Sequence, residues 1–115
     1  MMLSYFYVLY CKDGTLYGGY TTDINRRLNE HNSGTGAKYT RPAYRRPAHM
    51  LYAESYDTRS EATKAEAAFK KLTRRQKENF LKTNGVKFPL IKQKECIVNE
   101  SAGRNEDNDG NTKEL

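Results

Sequence analysis

Tryptophan is absent from this chain of 115 residues, and cysteine and histidine each occur only twice. Cys11 and Cys96 are too few and too far apart for a disulfide framework or a zinc site, so we expect free thiols in a reducing cytoplasm. No apolar run is long enough to cross a bilayer. Residues 1–11 lack the basic segment and the cleavage site of a signal peptide. The composition therefore favours a cytoplasmic protein.

Apolar side chains are also scarce. Hydrophobic residues make up 37% of the chain and the mean hydropathy is −0.95, so the core must be small. Nine residues are tyrosine, and several of them must help to build that core. A chain of this length forms one domain, which we place at residues 1–92. The polar, acidic residues 93–115 are expected to be a disordered tail.

Charge is distributed unevenly between these two segments. Residues 1–92 hold 17 lysines and arginines against 8 aspartates and glutamates, a balance of +9. Residues 93–115 hold 3 against 6, a balance of −3. So basic a domain favours a polyanionic partner such as nucleic acid. A charged surface that serves only solubility is the alternative.

Turn and cap residues predict the order β-β-α-β-α-α. Strands are expected at residues 5–11, 15–20 and 49–55. A helix from Thr22 or Asp23 to about residue 32 follows the second strand, and two capping boxes start helices after Thr58 and Thr73. Gly85 is expected to end the last helix. The fold class is α+β, with a small three-stranded, largely antiparallel sheet flanked by helices.

The loop of the first hairpin decides which tyrosines face each other. A two-residue loop would place Tyr7 and Tyr17 on opposite faces of the sheet. A three-residue loop with Gly14 left-handed would pair Tyr7 with Gly19 and bring both phenols to one face. We predict the three-residue loop, with Gly19 leaving space for a ligand.

Three charged or titratable side chains are candidates for chemistry on helices. Arg27 and His31 are four residues apart and share a helix face, where a guanidinium could grip phosphate oxygens. Glu66 lies on the apolar side of its helix, so its carboxylate must be paired, hydrogen-bonded or bound to a cation. Each residue also has an ordinary interpretation. Arg27 could be a solvent-exposed surface residue, His31 could pack in the core, and Glu66 could form a structural salt bridge.

The segment at residues 36–47 is glycine-hinged, basic and aromatic. Its cations could neutralise phosphates, and its tyrosines could stack on unpaired bases. An ordinary charged surface loop is the alternative. The candidate nucleic-acid contacts are Lys38, Tyr39, Arg41, Arg45 and Arg46.

These residues together resemble the GIY-YIG nuclease superfamily and, within it, small stand-alone bacterial proteins of the YhbQ-like type. The resemblance covers residues 5–80. The first motif appears as Tyr5-Phe6-Tyr7 and the second as Tyr17-Gly18-Gly19. The motif arginine and the histidine after it fall on Arg27 and His31, and the family's glutamate falls on Glu66. Residues 30–41 carry the more specific signature.

The resemblance implies a mechanism for this chain. One Mg²⁺ or Mn²⁺ ion would bind Glu66, and Tyr7 would deprotonate the attacking water, its own pKa lowered by nearby positive charge. Tyr17 would orient the water or the phosphate, Arg27 would neutralise charge on the phosphate, and His31 would orient Tyr7 or join a proton relay. The expected product is a cleaved phosphodiester bond in DNA.

Two functions remain open on the sequence. The first is a divalent-metal-dependent DNA endonuclease, structure-selective and acting on branched or damaged DNA in repair or recombination. The second is a catalytically weak nucleic-acid-binding module or adaptor on the same fold. No membrane partner is expected. Specificity would come from the basic loop, from a homodimer or from a protein partner.

Overall fold

A computed structural model describes residues 2–100. The strands are β1 (Ser4–Tyr10), β2 (Leu16–Thr21), β3 (His49–Tyr56) and β4 (Ile97–Glu100), and the helices are α1 (Ile24–Ser33), α2 (Arg59–Lys70) and α3 (Arg74–Thr83). Short 3-10 turns at Lys38–Thr40, Ala43–Arg45 and Leu90–Lys92 lie in the connections. The predicted order β-β-α-β-α-α is confirmed up to α3, and a further strand follows.

The first hairpin has the predicted three-residue loop. The backbone N–H of Cys11 donates to the carbonyl of Thr15 over 2.9 Å, and Gly14 takes the left-handed conformation with φ of 87°. Tyr7 consequently pairs with Gly19 across the two antiparallel strands. Because side chains alternate along a strand, this register turns Tyr7 and Tyr17 to the same face of the sheet.

The three predicted strands are present and pair antiparallel, but the predicted number of strands is wrong because a fourth strand joins the sheet. The sheet has four strands in the order β2-β1-β3-β4, and β4 runs parallel to β3, which makes the sheet mixed. The apolar pattern in the four residues of β4 is too short to distinguish them from a polar segment. Their backbone N–H and C=O groups obtain hydrogen-bond partners by pairing with β3. Residues 101–115 of the predicted tail lie outside the described residues.

Side-chain caps start all three helices where the sequence predicted. The carboxylate of Asp23 accepts from the backbone of Arg26 at the start of α1, and the hydroxyl of Thr58 caps α2. Thr73 and Gln76 form a complete reciprocal capping box at α3. Within residues 2–100, none of the helices combines the length and the apolar character that a membrane span requires.

The sheet separates two small apolar layers. One face of β1 carries Phe6 and Val8, which pack with Phe69 of α2 and Leu81 of α3. The other face carries Tyr7 and its neighbours, covered by α1 and the loop that follows it. Tyr7 and Tyr52 are fully buried, which confirms that tyrosines build part of the core. Tyr17, Arg27 and His31 gather around Tyr7 on this second face.

Candidate active site

The hydroxyl of Tyr7 is the centre of the candidate site. It lies 2.7 Å from Nε2 of His31 and 3.4 Å from Nε of Arg27, which donates to it. Strand β1 supplies the tyrosine, and adjacent turns of α1 supply the two partners. The predicted common face of Arg27 and His31 is therefore directed at one phenol.

Gly19 is the residue that lets this phenol lie against the sheet. A β-carbon at Gly19 would overlap the Tyr7 hydroxyl and would lie 2.9 Å from Cε2 of the ring, which is closer than van der Waals contact. We predicted that Gly19 leaves space for a ligand, and this is wrong. The space is filled by the Tyr7 side chain itself, since the two residues are direct partners across the hairpin.

His31 is fully buried and hydrogen-bonded through both ring nitrogens. Its Nδ1 lies 2.6 Å from Oγ1 of Thr40, on the side opposite Tyr7. Gly36 packs on the same ring, where an added β-carbon would lie 2.8 Å from Nδ1. Burial, followed by the positive charge of Arg27, lowers the pKa of His31 to about 4. The imidazole is therefore neutral at physiological pH.

The pKa of the central phenol is raised, not lowered. Burial raises the pKa of Tyr7 to about 12 and outweighs the hydrogen bond and the charge of Arg27, which act in the opposite direction. The expectation that nearby positive charge lowers this pKa is wrong for the protein without substrate. Arg27 is also shared, because its Nη1 donates to Oε1 of Glu30 over 2.9 Å. Tyr7 is consequently a neutral phenol in this state.

Tyr17 lies beside this cluster on the same face of the sheet. Its ring meets the His31 ring edge-on at 5.5 Å and stacks on Tyr39 at 5.4 Å with an interplanar angle of 16°. Burial raises the pKa of Tyr17, and the ammonium of Lys70 works against that rise. The predicted pair of phenols is therefore present, with Tyr17 at the edge of the site.

Glu66 reaches the site from α2. Its carboxylate lies 2.8 Å from Nζ of Lys70, one helical turn further on, and its side chain is 20% exposed. Lys70 in turn lies with its Nζ 5.6 Å from the centre of the Tyr17 ring, which places the Glu66 carboxylate near Tyr17. The negative charge of Glu66 contributes to the raised pKa values of Tyr7 and Tyr17. The ordinary alternative, a salt bridge, is thus present in the structure, and it lies beside the candidate catalytic groups.

The donor set around Glu66 suits one type of metal ion. Among residues 2–100, no group of three or more His, Cys, Asp or Glu side chains could hold a metal. A part-exposed single carboxylate does fit Mg²⁺ or Mn²⁺, which retain waters and accept substrate phosphate oxygens as further ligands. The residues present would therefore suit a hard divalent cation with Glu66 as its protein ligand.

The five residues predicted to contact nucleic acid have different surroundings. Arg45 donates to Asp13 and to the carbonyl of Tyr39, and its guanidinium lies 4.0 Å from the centre of the Tyr39 ring. Arg46 donates to the carbonyl of Asn32 near the end of α1. These side chains hold the loop against the hairpin and the helix. Lys38 and Arg41, by contrast, are exposed to solvent.

Two residues of the site were missed by the reasoning from sequence. Thr40 contacts His31, and Lys70 pairs with Glu66 while its Nζ lies 5.6 Å from the centre of the Tyr17 ring. The spacing of Glu66 and Lys70, four residues apart on a helix, was a signal that could have identified the pair. Nothing in the local sequence around Thr40 indicates its partner.

Comparison with known proteins agrees with the family resemblance. Residues 3–79 match the GIY-YIG catalytic domain. A UPF0213 protein of Enterococcus faecalis is 73% identical over 79 residues, which cover 69% of this chain and 90% of that protein. A UPF0213 protein of Streptococcus agalactiae is 56% identical over 79 residues, covering 69% and 88% of the two chains.

Solved structures show the same relationship. A solution NMR structure of a protein from E. faecalis is 70% identical, covers 72% of this chain and 86% of its own, and superposes with a TM-score of 0.51. The solution NMR structure of a UPF0213 protein from Bacillus halodurans is 41% identical and covers 79% and 95% of the two chains, again with a TM-score of 0.51.

Proposed function

This chain belongs to the family of the GIY-YIG catalytic domain and of the UPF0213 proteins, and from that premise we propose that it is a divalent-metal-dependent DNA endonuclease. The family's catalytic domains are nucleases, and the reaction would be hydrolysis of a phosphodiester bond. The single observation that carries the proposal is the convergence of Arg27 and His31 on the hydroxyl of Tyr7. Glu66 lies close enough to influence the same phenol.

Each side chain of the cluster has a role that its surroundings support. The oxygen of Tyr7 would accept a proton from the attacking water, because His31 lies 2.7 Å away to receive the phenol's own proton. The guanidinium of Arg27 would move from Glu30 to the phosphate and neutralise its developing charge. Tyr17 would orient the water or the phosphate with its hydroxyl.

Glu66 would hold the divalent cation through its part-exposed carboxylate. A cation bound there would supply Lewis-acid stabilisation of the phosphate and of the leaving oxygen. Lys70 has to release Glu66 for this to happen, and its ammonium would then be available for a substrate phosphate. The pairing seen between Lys70 and Glu66 is consistent with a site that accepts positive charge.

The proposed substrate is branched or damaged DNA in repair or recombination. The exposed side chains Lys38 and Arg41 belong to the loop that also supplies Thr40 to the site. Cations of this kind bind backbone phosphates, which carry no sequence information. The basic surface therefore supports recognition of DNA shape rather than of base sequence.

A catalytically weak nucleic-acid-binding module or adaptor is the second candidate. The surroundings of Tyr7 and Glu66 favour this candidate. Tyr7 is fully buried, and Glu66 already has an ammonium partner. A protein that only binds DNA could keep both arrangements unchanged.

Cleavage of defined DNAs separates these two functions. Single-stranded, duplex, flap and four-way-junction DNAs would be incubated with Mg²⁺ or Mn²⁺ and the wild type, Glu66→Ala or Arg27→Ala. Each variant has a matched control. Glu78→Ala breaks another ion pair of the same spacing with Arg74, and Arg26→Ala removes the neighbouring arginine.

The endonuclease predicts cutting by the wild type and both controls, and loss of cutting in Glu66→Ala and Arg27→Ala. Binding by Glu66→Ala should be nearly intact, because the cationic side chains of the surface supply most of the attraction for the DNA backbone. If the wild type binds every DNA in a salt-sensitive manner and cuts none of them, the binding module is the better description.

A further inference from the structure

A row of three fully buried side chains crosses the site. It runs from the hydroxyl of Tyr7 to Nε2 of His31 over 2.7 Å, and from Nδ1 of His31 to the hydroxyl of Thr40 over 2.6 Å. The Thr40 hydroxyl in turn lies 3.1 Å from the backbone carbonyl of Ala37. Each of these groups has a limited number of protons, so the direction of every hydrogen bond can be worked out.

The Tyr7 end fixes the first bond. Within residues 2–100 the Tyr7 hydroxyl has two hydrogen-bond partners, His31 and Arg27. A guanidinium donates only, so the proton of Tyr7 can be accepted only by Nε2 of His31. The Tyr7 end therefore favours a lone pair on Nε2 and the proton of the neutral imidazole on Nδ1, and this buried Nδ1–H in turn needs an acceptor.

The Thr40 end is satisfied by the same arrangement. The carbonyl of Ala37 only accepts, and the Thr40 hydroxyl donates its one proton to it. Toward His31 the Thr40 oxygen can then only accept, which again places the proton on Nδ1. The two ends of the row agree on one tautomer, and with it the side-chain donors and acceptors of Tyr7, His31 and Thr40 are paired with one another, with Arg27 or with Ala37, all within residues 2–100.

We infer that Thr40 is a positioning residue that fixes the tautomer of His31 with the proton on Nδ1, so that Nε2 can take the proton of Tyr7. Gly36 supports this role because it lets the loop close over the imidazole ring. The effect on the tautomer is a property of the folded protein alone. The effect of Thr40 on DNA cleavage, by contrast, rests on the proposed nuclease function.

The proton transfer that Thr40 would permit begins at the attacking water. An O–H bond of the attacking water breaks, its proton binds to the Tyr7 oxygen, and the proton of Tyr7 moves to Nε2 of His31. The water oxygen forms the new bond to phosphorus, and the bond from phosphorus to the leaving oxygen breaks. The leaving oxygen takes a proton from solvent water, and His31 returns its proton to solvent through Tyr7.

The imidazolium formed in this step has two N–H groups, and both have acceptors. Nε2–H donates to the Tyr7 oxygen and Nδ1–H donates to Thr40, so the positive charge is not left without hydrogen bonds in a buried site. With the other tautomer, Nε2 would already hold a proton and could not accept one. Catalysis by Tyr7 would then lack a destination for the phenol proton.

Nitrogen NMR of the histidine side chains tests the inference without any substrate. Long-range ¹H–¹⁵N spectra at neutral pH distinguish a protonated from an unprotonated ring nitrogen, and His49 is the internal reference. The variants are Thr40→Val, which keeps the shape and removes the hydroxyl, and Thr40→Ser, which restores it. Urea unfolding of each variant shows whether the fold is retained.

We expect an unprotonated Nε2 in the wild type and in Thr40→Ser, and a shift toward the Nε2–H tautomer in Thr40→Val. On the DNA that the wild type cuts, kcat of Thr40→Val should fall by about 10- to 100-fold, the range found when the hydrogen-bond partner that orients a metal-bound histidine is removed. DNA binding should be unchanged, and Thr40→Ser should recover most of the rate.

Two results would overturn the inference: a protonated Nε2 in the wild type, or an unchanged tautomer in a folded Thr40→Val protein. Failure of the proposed nuclease gives a different pattern. The wild type would then cut no DNA, while the NMR spectra would still show the tautomer and its dependence on Thr40, which supports the inference.

Discussion

No β-carbon fits between Gly19 and the phenol of Tyr7, because the two residues are direct partners across the hairpin and the ring lies over the glycine. We therefore expect Gly19→Ala to lower the free energy of unfolding by about 1–3 kcal/mol, the usual cost of overpacking a core. Urea unfolding measures this change. The loss should be smaller in a Tyr7→Leu background, where the phenol is missing. Equal losses in both backgrounds would show that another group causes the clash.

Stability should fall in mild acid because of His31. Its pKa is lowered by burial from 6.5 to about 4, so the unfolded chain binds this proton at a higher pH than the folded protein. The stabilisation is present above pH 6.5 and is lost as the pH falls toward 4. It amounts to about 3 kcal/mol for a shift of this size.

Urea unfolding between pH 7 and pH 4 measures this loss. His31→Gln should show a flatter dependence on pH than the wild type. The control is His49→Gln, which removes the second of the two histidines at a position that is exposed at the surface. The explanation fails if His31→Gln and the wild type lose stability in parallel.

Lys70 should compete with a divalent cation for Glu66. Its ammonium lies 2.8 Å from the carboxylate, and removing it in Lys70→Met leaves the carboxylate free. Exposed ion pairs are worth ~0.2–1 kcal/mol, so Mn²⁺ should bind up to about fivefold more tightly. Free Mn²⁺ can be measured by electron paramagnetic resonance in the absence of DNA. Lys64→Met removes an exposed lysine of the same helix and should leave the affinity unchanged. Unaltered Mn²⁺ binding in Lys70→Met would mean that the metal does not use Glu66.

Some cationic side chains of the loop at residues 36–47 should contribute to DNA binding, and others to the stability of the fold. Lys38→Ala and Arg41→Ala should each weaken DNA binding and reduce the slope of log affinity against log salt by about 0.9, as expected for one lost phosphate contact. Binding titrations at several salt concentrations measure the slope. Arg45→Ala should instead lower the melting temperature, because Arg45 joins the loop to Asp13 and Tyr39. A normal melting temperature in Arg45→Ala would contradict this structural role.

Prediction from the sequence was accurate where the signal is local. The Gly14 turn predicted the hairpin register, and the cap residues Asp23, Thr58 and Thr73 predicted where each helix begins. These signals act through backbone conformation and hydrogen bonds within a few residues, so they need no knowledge of the rest of the fold. Strand β4 was missed because its stability comes from β3, which is distant in the sequence.

The site was predicted only in part for the same reason. The spacing of Arg27 and His31 predicted a common helix face, and the hairpin register predicted that Tyr7 and Tyr17 share a face of the sheet. The space at Gly19 was misjudged, because whether a ligand or a side chain fills it depends on the rotamer of Tyr7. The fixed positions of Arg45 and Arg46 could not be seen in a pattern of charges.

The sequence by itself determined the local units of this protein: the hairpin with its register, three capped helices and a basic loop. The tertiary structure alone decided that Thr40 meets His31 and that β4 joins the sheet. It also decided the direction in which the pKa of Tyr7 shifts. The physical reason is that a pKa depends on water being excluded by every element packed around the group, and the strongest effect here is burial. The residue types determine which chemical groups are available, and the packing around each group determines its protonation state at a given pH.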